Sequence, residues 1–450
     1  MRSIDGKTKL LGVIGNPIEH TLSPVIHNTL CDLKGIKAVY VPIHVESDIA
    51  AAVKGFYAAG AAGLNVTVPY KQSVMESVVD IDDLAKRIGA VNTLVPAEGG
   101  YKGYNTDMPG LARALNSKGV ELAGKKAVVI GAGGAARAVC VMLEESGVEE
   151  IYLLNRSVDK AEAIASELTK VKALSLTDHA KIPEGKYVMF QCTSLGLKES
   201  DSLAIDDDSF YEKAEYGYDL IYNPAETPFI KKLNSLGIPN DNGLTMLLYQ
   251  GIIAFEYWFD VNVTQDEADI VLSELCRTLY GSNIILTGYM GSGKTTVGKA
   301  LAEKYGMTFI DTDQLIEEKA GKAISKIFEE SGEEAFRDME TELLKELLRK
   351  SISKSVISTG GGIVKRKENC ELLRRIGRVF YLEADSDTLY ERVKNDDTRP
   401  LLKDAGDELK DRIDTMLSKR EGYYKLSAEH IIDTKGKTLK EIAEEVYINL

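Results

Sequence analysis

The 450-residue sequence predicts an α/β protein of three successive blocks, each a parallel sheet covered by helices. Short β-branched runs alternate with longer amphipathic segments from end to end, the pattern of parallel strands joined by helical crossovers. Two glycine-rich turns, at Gly131 and Gly288, each follow a strand-like run and open a helix-like one. The chain is also longer than one hydrophobic core usually supports, so about two or three domains are expected.

A hydrophobic fraction of 44% with 28% charged residues is ordinary for a soluble globular chain. The net charge of −14 argues against nucleic acid or an anionic membrane as the main partner, because both need a basic surface. Cys31, Cys140, Cys192, Cys276 and Cys370 are far apart and form no Cys-x-x-Cys pair; with five scattered histidines they give no metal-ligand spacing. A reducing cytoplasm is the expected location. The N-terminal residues lack a signal-peptide apolar core. The most apolar stretches, near 127 to 143 and 245 to 259, are interrupted by Arg137, Gln250 and Glu256, so no membrane span is expected.

In the first block, Gly15-Asn-Pro-Ile-Glu-His-Thr-Leu-Ser-Pro-Val-Ile-His-Asn28 is polar and turn-rich, and the hydroxyls of Thr21 and Ser23 are suited to a substrate carboxylate. Asn65-Val-Thr-Val-Pro-Tyr-Lys71, Gly89-Ala-Val-Asn-Thr93 and Gly103-Tyr-Asn-Thr-Asp107 follow. In the second block, Lys126 to Ile130 reads as a buried strand, and Gly131-Ala-Gly-Gly-Ala-Ala136 opens a helix continuing through Leu143. That is Gly-x-Gly-x-x-Ala in strand–turn–helix context, the dinucleotide-binding (Rossmann) turn, with Gly131, Gly133, Gly134, Ala135 and Ala136 against the cofactor. The next strand, Ile151 to Leu154, ends in Asn155-Arg156-Ser157, where enzymes using NAD usually carry a carboxylate for the ribose 2′-hydroxyl. A cation there favours the 2′-phosphate of NADP(H), and Lys160 adds a second charge; the alternative is that both are solvated helix-start residues. Arg137 reads equally as a phosphate ligand or as part of a solvated helix face.

The third block opens on Ile284 to Thr287 and then Gly288-Tyr-Met-Gly-Ser-Gly-Lys-Thr295, a Gly-x4-Gly-Lys-Thr phosphate loop. Gly291, Ser292, Gly293, Lys294, Thr295 and Thr296 are expected around the phosphates of ATP, with the Thr295 hydroxyl on Mg2+. Phe309-Ile-Asp-Thr-Asp313 reads as a second strand ending with two carboxylates on one face. Asp311 is expected to support Mg2+ through water and Asp313 to orient or deprotonate an attacking hydroxyl. The charged segment from Val393 to Asp411 reads as a mobile loop.

The separated motifs of the first two blocks, with Gln250 in Met246-Leu-Leu-Tyr-Gln-Gly251, closely resemble shikimate dehydrogenase over about residues 9 to 277. The resemblance implies a substrate domain and an NADP-binding domain, with Lys71 and Asp107 as the lysine–carboxylate pair that supplies a proton to the reduced ketone. Asn92 and Gln250 match positions that hydrogen-bond substrate hydroxyls, and Thr67 and Tyr222 belong to the same pocket. Thr21-Leu-Ser23 stands where the family has Ser-x-Ser, and Gln191-Cys-Thr193 where it has Asn-Ala-Thr. The added methyl group leaves preference between shikimate and quinate open.

The phosphate loop followed by Phe336-Arg-Asp-Met-Glu340, Thr359-Gly-Gly-Gly362, Thr398-Arg-Pro-Leu-Leu402 and Arg420 resembles shikimate kinase over about 284 to 450. It implies that Asp313 and Arg337 hold the substrate, that Gly361 and Gly362 allow a close backbone approach, that Arg420 grips its carboxylate and that Arg399 comes from a closing lid. Arg392 matches an arginine near adenine, or is a solvated lid charge. Gly422 stands where the family often has proline. The implied domains are a substrate domain of residues 1–120 and 245–280, an NADP domain of 121–244 and a phosphate-loop kinase domain of 281–450. Together they imply a bifunctional enzyme that reduces 3-dehydroshikimate with NADPH and phosphorylates shikimate with ATP and Mg2+. The alternatives are a quinate-accepting first half, or one half that is a non-catalytic regulatory module.

Overall fold

Residues 4–198, 200–280, 283–349, 352–394 and 409–450 are described by a computed structural model and form three sheets. The first sheet contains β1 (Lys9–Gly15), β2 (Ala38–His44), β3 (Gly63–Val66), β4 (Asp80–Ile81), β5 (Thr93–Ala97) and β6 (Gly100–Tyr104), in the order β2-β1-β3-β5-β6-β4. It is mixed rather than wholly parallel, because β5 runs antiparallel to both β3 and β6. The reason is local. Only Glu98 and Gly99 join β5 to β6, with Gly99 at φ 79°, and so short a link admits a hairpin but no crossover.

The second sheet contains β7 (Lys126–Ile130), β8 (Glu150–Asn155), β9 (Val171–Ser175), β10 (Tyr187–Gln191), β11 (Ala214–Asp219) and β12 (Asn240–Asp241). Its order is β12-β11-β10-β7-β8-β9, all parallel, and the direction of winding reverses between β7 and β10. A ligand crevice is expected at that reversal. The uninterrupted apolar run of β7 follows from burial on both faces: Ala127 and Val129 pack with Val139 and Leu143, while Val128 and Ile130 pack with Met189 and Phe210. Each such side chain stabilises the fold by about 1.5–3 kcal/mol when fully buried.

The third sheet contains β13 (Ile284–Thr287), β14 (Thr308–Asp311), β15 (Ser355–Ser358), β16 (Arg378–Glu383) and β17 (His430–Asp433), parallel in the order β14-β15-β13-β16-β17. The phosphate loop leaves the central strand β13. The chain divides into two units, Met1–Val271 and Leu272–Leu450, with the first two sheets in the first unit and the third in the second. No helix of the described residues is long and apolar enough to cross a membrane. Most of the segment from Val393 to Asp411 lies outside the described residues; Val393 itself ends the helix Ser386–Val393, and the helix Leu409–Ser427 begins before Asp411.

One helix crossing fixes the first site. The helices Asp107–Ser117 and Leu244–Phe259 pack so closely that a Cβ on Gly110 would lie 2.6 Å from the Gln250 backbone nitrogen. Glycine in a helix interior costs about 1 kcal/mol against alanine, and here it permits the approach of Asp107 and Gln250 to one cleft.

Candidate active sites

The first unit holds a cleft of about 340 Å³ lined by all eight predicted substrate residues: Thr21, Ser23, Thr67, Lys71, Asn92, Asp107, Tyr222 and Gln250. Lys71 Nζ donates to Asp107 Oδ2 at 2.6 Å, with both side chains partly exposed to the cleft. Asp107 opens its helix, where a carboxylate faces the positive end of the peptide dipoles, and its backbone N–H is held by Asn105 Oδ1 at 3.1 Å. Lys71 is anchored at its carbonyl, which accepts from Val91 N at 2.8 Å.

A buried polar network aims Asn92. Tyr40 donates to Asn65 Oδ1 at 2.7 Å, and Asn65 Nδ2 donates to Thr93 Oγ1 at 3.0 Å and to the Asn92 carbonyl at 3.2 Å. Asn92 Oδ1 accepts from the Thr106 backbone N–H at 2.8 Å, which fixes the amide orientation and leaves Nδ2 as the donor available to the cleft. Gln250 Nε2 donates to the Leu247 carbonyl at 2.9 Å, leaving Oε1 as its acceptor. Thr21 Oγ1 donates to Ser23 Oγ at 3.3 Å at the start of the helix Ser23–Leu33, whose N-terminus has no side-chain cap. Two hydroxyls and an uncapped helix end suit an anionic substituent. Asn65, Tyr40, Thr93 and Thr106 were not singled out from the sequence; three of them lie inside quoted motifs, but their roles depend on partners distant in sequence.

At the second sheet, Gly131 has φ 109°, and a Cβ there would sit 3.0 Å from Thr193 Cγ2 and 3.1 Å from the Cys192 carbonyl carbon. A Cβ on Gly133 or Gly134 would instead meet no atom within 4 Å, so the turn is open on its outer side. Ala135 and Ala136 continue into the helix Gly134–Glu145, whose first turn has no side-chain cap and keeps backbone N–H groups for an anion. Asn155 Nδ2 donates to the Ser157 carbonyl at 2.9 Å and shapes the turn after β8. Arg156, Ser157 and Lys160 are exposed there, and among the described residues Arg156 and Lys160 form no ion pair. Arg137, its side chain 30% exposed, is engaged by protein partners. Its guanidinium donates to Glu167 Oε2 at 2.6 Å and to the carbonyls of Arg87, at 3.0 Å, and Ile88, tying three segments together.

The second unit holds a cleft of about 1000 Å³ around the phosphate loop. Gly288, Gly291 and Gly293 have φ 148°, 83° and 97°, backbone that only glycine adopts without strain. Lys294 Nζ donates to the carbonyls of Gly288 at 2.7 Å and Tyr289 at 3.0 Å, folded over the loop. Ser292 Oγ is buried with no hydrogen-bond partner among the described residues, and it lies on the Gly288 side of the loop, where a Cβ on Gly288 would come within 2.7 Å of it. Thr295 Oγ1 lies 3.2 Å from Asp311 Oδ2 and 3.3 Å from Ser358 Oγ, and Thr296 lines the same wall. Arg392 lies against the loop, 3.4 Å from the Gly291 and Ser292 carbonyls. Arg399 falls outside the described residues.

Asp311 and Asp313 do not share a strand face. Strand β14 ends at Asp311, which caps the helix Thr312–Ala320 by accepting from Asp313 N at 3.1 Å, and Asp313 lies in that helix's first turn. Asp311 Oδ2 therefore turns to Thr295, while Asp313 points into the cleft beside Arg337 and Glu340. Burial, then the charge of Asp311, pushes the Asp313 carboxyl up to about 6. Glu340, fully buried, is pushed up to about 7 by burial and receives Arg337 Nη1 at 2.6 Å. The glycine run makes room for these groups: a Cβ on Gly360 would lie 2.4 Å from Asp313 Oδ1, and one on Gly362 2.4 Å from Arg337 Nη2. Gly361 packs beside the phosphate loop, and its carbonyl accepts from Tyr424. Arg420 is buried over the Tyr289 ring, 5.8 Å from its centroid, and among the described residues forms no ion pair. Gly360 and Glu340 lie in the quoted motifs but had no expected role.

Three family models match the chain: shikimate dehydrogenase substrate binding domain at residues 13–94, shikimate / quinate 5-dehydrogenase at 112–197 and shikimate kinase at 290–450. The NADP(+) shikimate dehydrogenase of Caldanaerobacter subterraneus subsp. tengcongensis is 40% identical over 261 residues, covering 57% of this chain and 93% of the relative. That of Carboxydothermus hydrogenoformans is 40% identical over 265 residues, covering 58% and 94%. A chorismate mutase/shikimate 5-dehydrogenase fusion from Clostridium acetobutylicum superposes with TM-score 0.56 and 33% identity, covering 60% of this chain and 98% of that one. Shikimate 5-dehydrogenase from Thermus thermophilus, solved with NADP(H) and shikimate, superposes with TM-score 0.53 and 30% identity, covering 59% and 98%. These relatives and structures match one part of the chain and the kinase model the other, so the chain belongs to the NADP-dependent shikimate dehydrogenase family and carries an ATP-using shikimate kinase domain as well.

Proposed function

We propose that the first cleft reduces 3-dehydroshikimate to shikimate with Lys71 as proton donor, and that the second phosphorylates the shikimate 3-hydroxyl with Asp313 orienting it. The observation that carries this reading is the convergence of Lys71, paired at 2.6 Å with Asp107, and the six further predicted substrate residues on one cleft. Bound NADPH supplies hydride to the carbonyl carbon. Lys71 gives a proton to the carbonyl oxygen as it becomes an alkoxide, and Asp107 holds the ammonium in place. Asn92 Nδ2 and Gln250 Oε1 take the substrate hydroxyls, and Thr21 and Ser23 the carboxylate. The open turn at Gly133 and Gly134, the uncapped helix end and the exposed Arg156 and Lys160 fit the pyrophosphate and 2′-phosphate of NADP(H).

In the second cleft ATP supplies the phosphoryl group. Lys294 and the loop N–H groups neutralise its phosphates, and Asp313 aligns the attacking hydroxyl and accepts its proton. One carboxylate with two neighbouring hydroxyls, Asp311, Thr295 and Ser358, fits Mg2+, which keeps much of its shell as water and phosphate oxygen. Arg337 and Arg420 grip the substrate carboxylate, Arg392 borders the adenine and Arg399 closes over the phosphates. Incubation of 3-dehydroshikimate with NADPH, ATP and Mg2+, with products weighed by mass spectrometry, tests both halves: shikimate 3-phosphate is expected, and no reduction of the ketone would overturn the first assignment. The methyl group of Thr21, which lines the cleft, favours a second reading in which quinate is also turned over; the ratio of kcat/KM for quinate and shikimate decides.

A further inference from the structure

Arg337 is not free to meet a substrate carboxylate. Its side chain is 8% exposed and lines the second cleft, and both edges of its guanidinium are occupied. Nη1 donates to Glu340 Oε2 at 2.6 Å, inside the protein. The other edge, Nε and Nη2, is the fork that pairs bidentately with carboxylates, and it converges at 3.3 and 3.0 Å on a single oxygen, Glu333 Oε1. The two partners differ in what they can do. Glu340 is fully buried, whereas Glu333 is 48% exposed.

Three further features make Glu333 displaceable. It directly follows Gly332, whose φ of 80° and ψ of 174° break the helix Ile324–Arg349 and provide a backbone pivot. Lys365 Nζ lies 2.7 Å from the same Oε1, so a Glu333 that leaves Arg337 keeps a cation. One oxygen shared by a fork is also poorer geometry than the two oxygens of an incoming carboxylate. Lys365, then Arg337, hold the Glu333 carboxyl down to about 2, so it stays anionic at any working pH and the competition is not relieved by protonation.

We propose that Glu333 is a built-in competitor for the substrate carboxylate: it holds the Arg337 fork in the free kinase site, shikimate displaces it, and Lys365 retains it once displaced. This rests on the reading that Arg337 grips the substrate carboxylate. Arg420, with no ion pair among the described residues, receives the carboxylate first, and the Arg337 fork completes the grip on exchange. Glu333 thus acts through Arg337 as a positioning residue, and it raises the shikimate concentration the kinase needs without touching ATP.

The test is ADP formation by the full chain with shikimate varied and no NADP present, so that only the kinase site is read. Glu333→Gln is expected to lower the shikimate KM by about two- to fivefold, the scale of a half-exposed ion pair, with kcat and the ATP KM unchanged. Lys365→Met should raise the shikimate KM by a similar factor, since displaced Glu333 then has no partner, and should have no effect in the Glu333→Gln background. Glu334→Gln, one residue on and paired instead with Arg366, controls for loss of a nearby negative charge and should change nothing. An unchanged or raised shikimate KM in Glu333→Gln overturns the proposal, as does an equal Lys365→Met effect in both backgrounds. Arg337→Met reports on the underlying reading separately: an unchanged shikimate KM there would remove Arg337 from the substrate site altogether.

Discussion

Lys71 is the residue on which the dehydrogenase assignment turns. Lys71→Met is expected to cut dehydrogenase kcat/KM by about 100- to 10,000-fold, the usual contribution of a general acid, with kinase turnover within a few-fold of the parent. Arg156→Asp should reverse the preference for NADP over NAD, because it exchanges a cation at the 2′-phosphate position for a carboxylate that accepts the 2′-hydroxyl; equal kcat/KM for the two cofactors in the parent chain would refute that role. Asp313 makes a prediction about pH. Its carboxyl, ordinarily at 3.8, is raised to about 6 in the fold, so the folded state binds more protons than the unfolded chain between those values. The kinase unit therefore loses stability as pH rises through that window, and the penalty persists above it. Asp313→Asn should raise the melting temperature of the kinase unit at pH 8, raise it far less near pH 4, and abolish phosphorylation. In the parent, kinase kcat/KM should fall as pH drops through about 6, where Asp313 takes a proton and stops accepting one. Lys294 was legible because it stands in a phosphate-loop pattern whose chemistry is local, whereas Lys71 and Asp107, 36 residues apart, stood out only through the family resemblance. The roles of Arg137 and Glu333 were not legible, since their partners lie in other segments or in a side-chain geometry that spacing alone leaves open.

At the scale of elements, strands β7 and β13 and the helix opening at Gly134 fall where the apolar runs and glycine turns placed them, because both are short-range signals. The misreadings have equally physical causes. A carboxylate pair two residues apart looks like one strand face, but Asp311 ends its strand by capping a helix, and the period changes from 2 to 3.6 between the two residues. The antiparallel pairing of β5 follows from a two-residue link, a signal carried by Gly99-Gly100 and outweighed by the β–α alternation around it. Gly110 shows how a residue that does not line a site still positions it. Alanine there would drive its Cβ to 2.6 Å from the Gln250 nitrogen and 2.8 Å from the Gln250 Cα, backbone that cannot rotate away. The crossing helices must separate, carrying Asp107 on one and Gln250 on the other. Gly110→Ala is expected to destabilise the first unit by about 1–3 kcal/mol, as overpacking does, despite alanine's better helix propensity. It should raise the 3-dehydroshikimate KM and lower kcat together while the kinase is unaffected, as steady-state rates of the two half-reactions will report; a stabilised protein of unchanged KM would show that the close crossing has no part in the site.

At the scale of the whole chain, the described residues that line the first cleft run from 13 to 250 and those that line the second from 290 to 442. Lys294 lines the second cleft and is not among the residues lining the first, so Lys294→Met should silence the kinase and leave the dehydrogenase rate as it was. The fusion still joins consecutive reactions, the product of the first being the substrate of the second, which raises the question of direct transfer. Shikimate is an anion, and guiding it along a surface needs a continuous basic track. The chain carries a net charge of −14, and the cations assigned to meet its substrates, Lys71, Arg337 and Arg420, each act locally within one cleft. In the second cleft the Arg337 clamp is already held by two carboxylates, which leaves Arg420 as a single local cation for an arriving anion rather than a continuous basic track. Shikimate is therefore expected to leave into solvent and rebind, with fusion serving to keep the two activities in equal amount. The measurement runs the coupled reaction from labelled 3-dehydroshikimate with a large pool of unlabelled shikimate present from the start. Release to solvent dilutes the label in shikimate 3-phosphate to the level of the pool from the earliest turnovers, whereas product that keeps the label of its precursor would mean that the intermediate passes between sites without equilibrating.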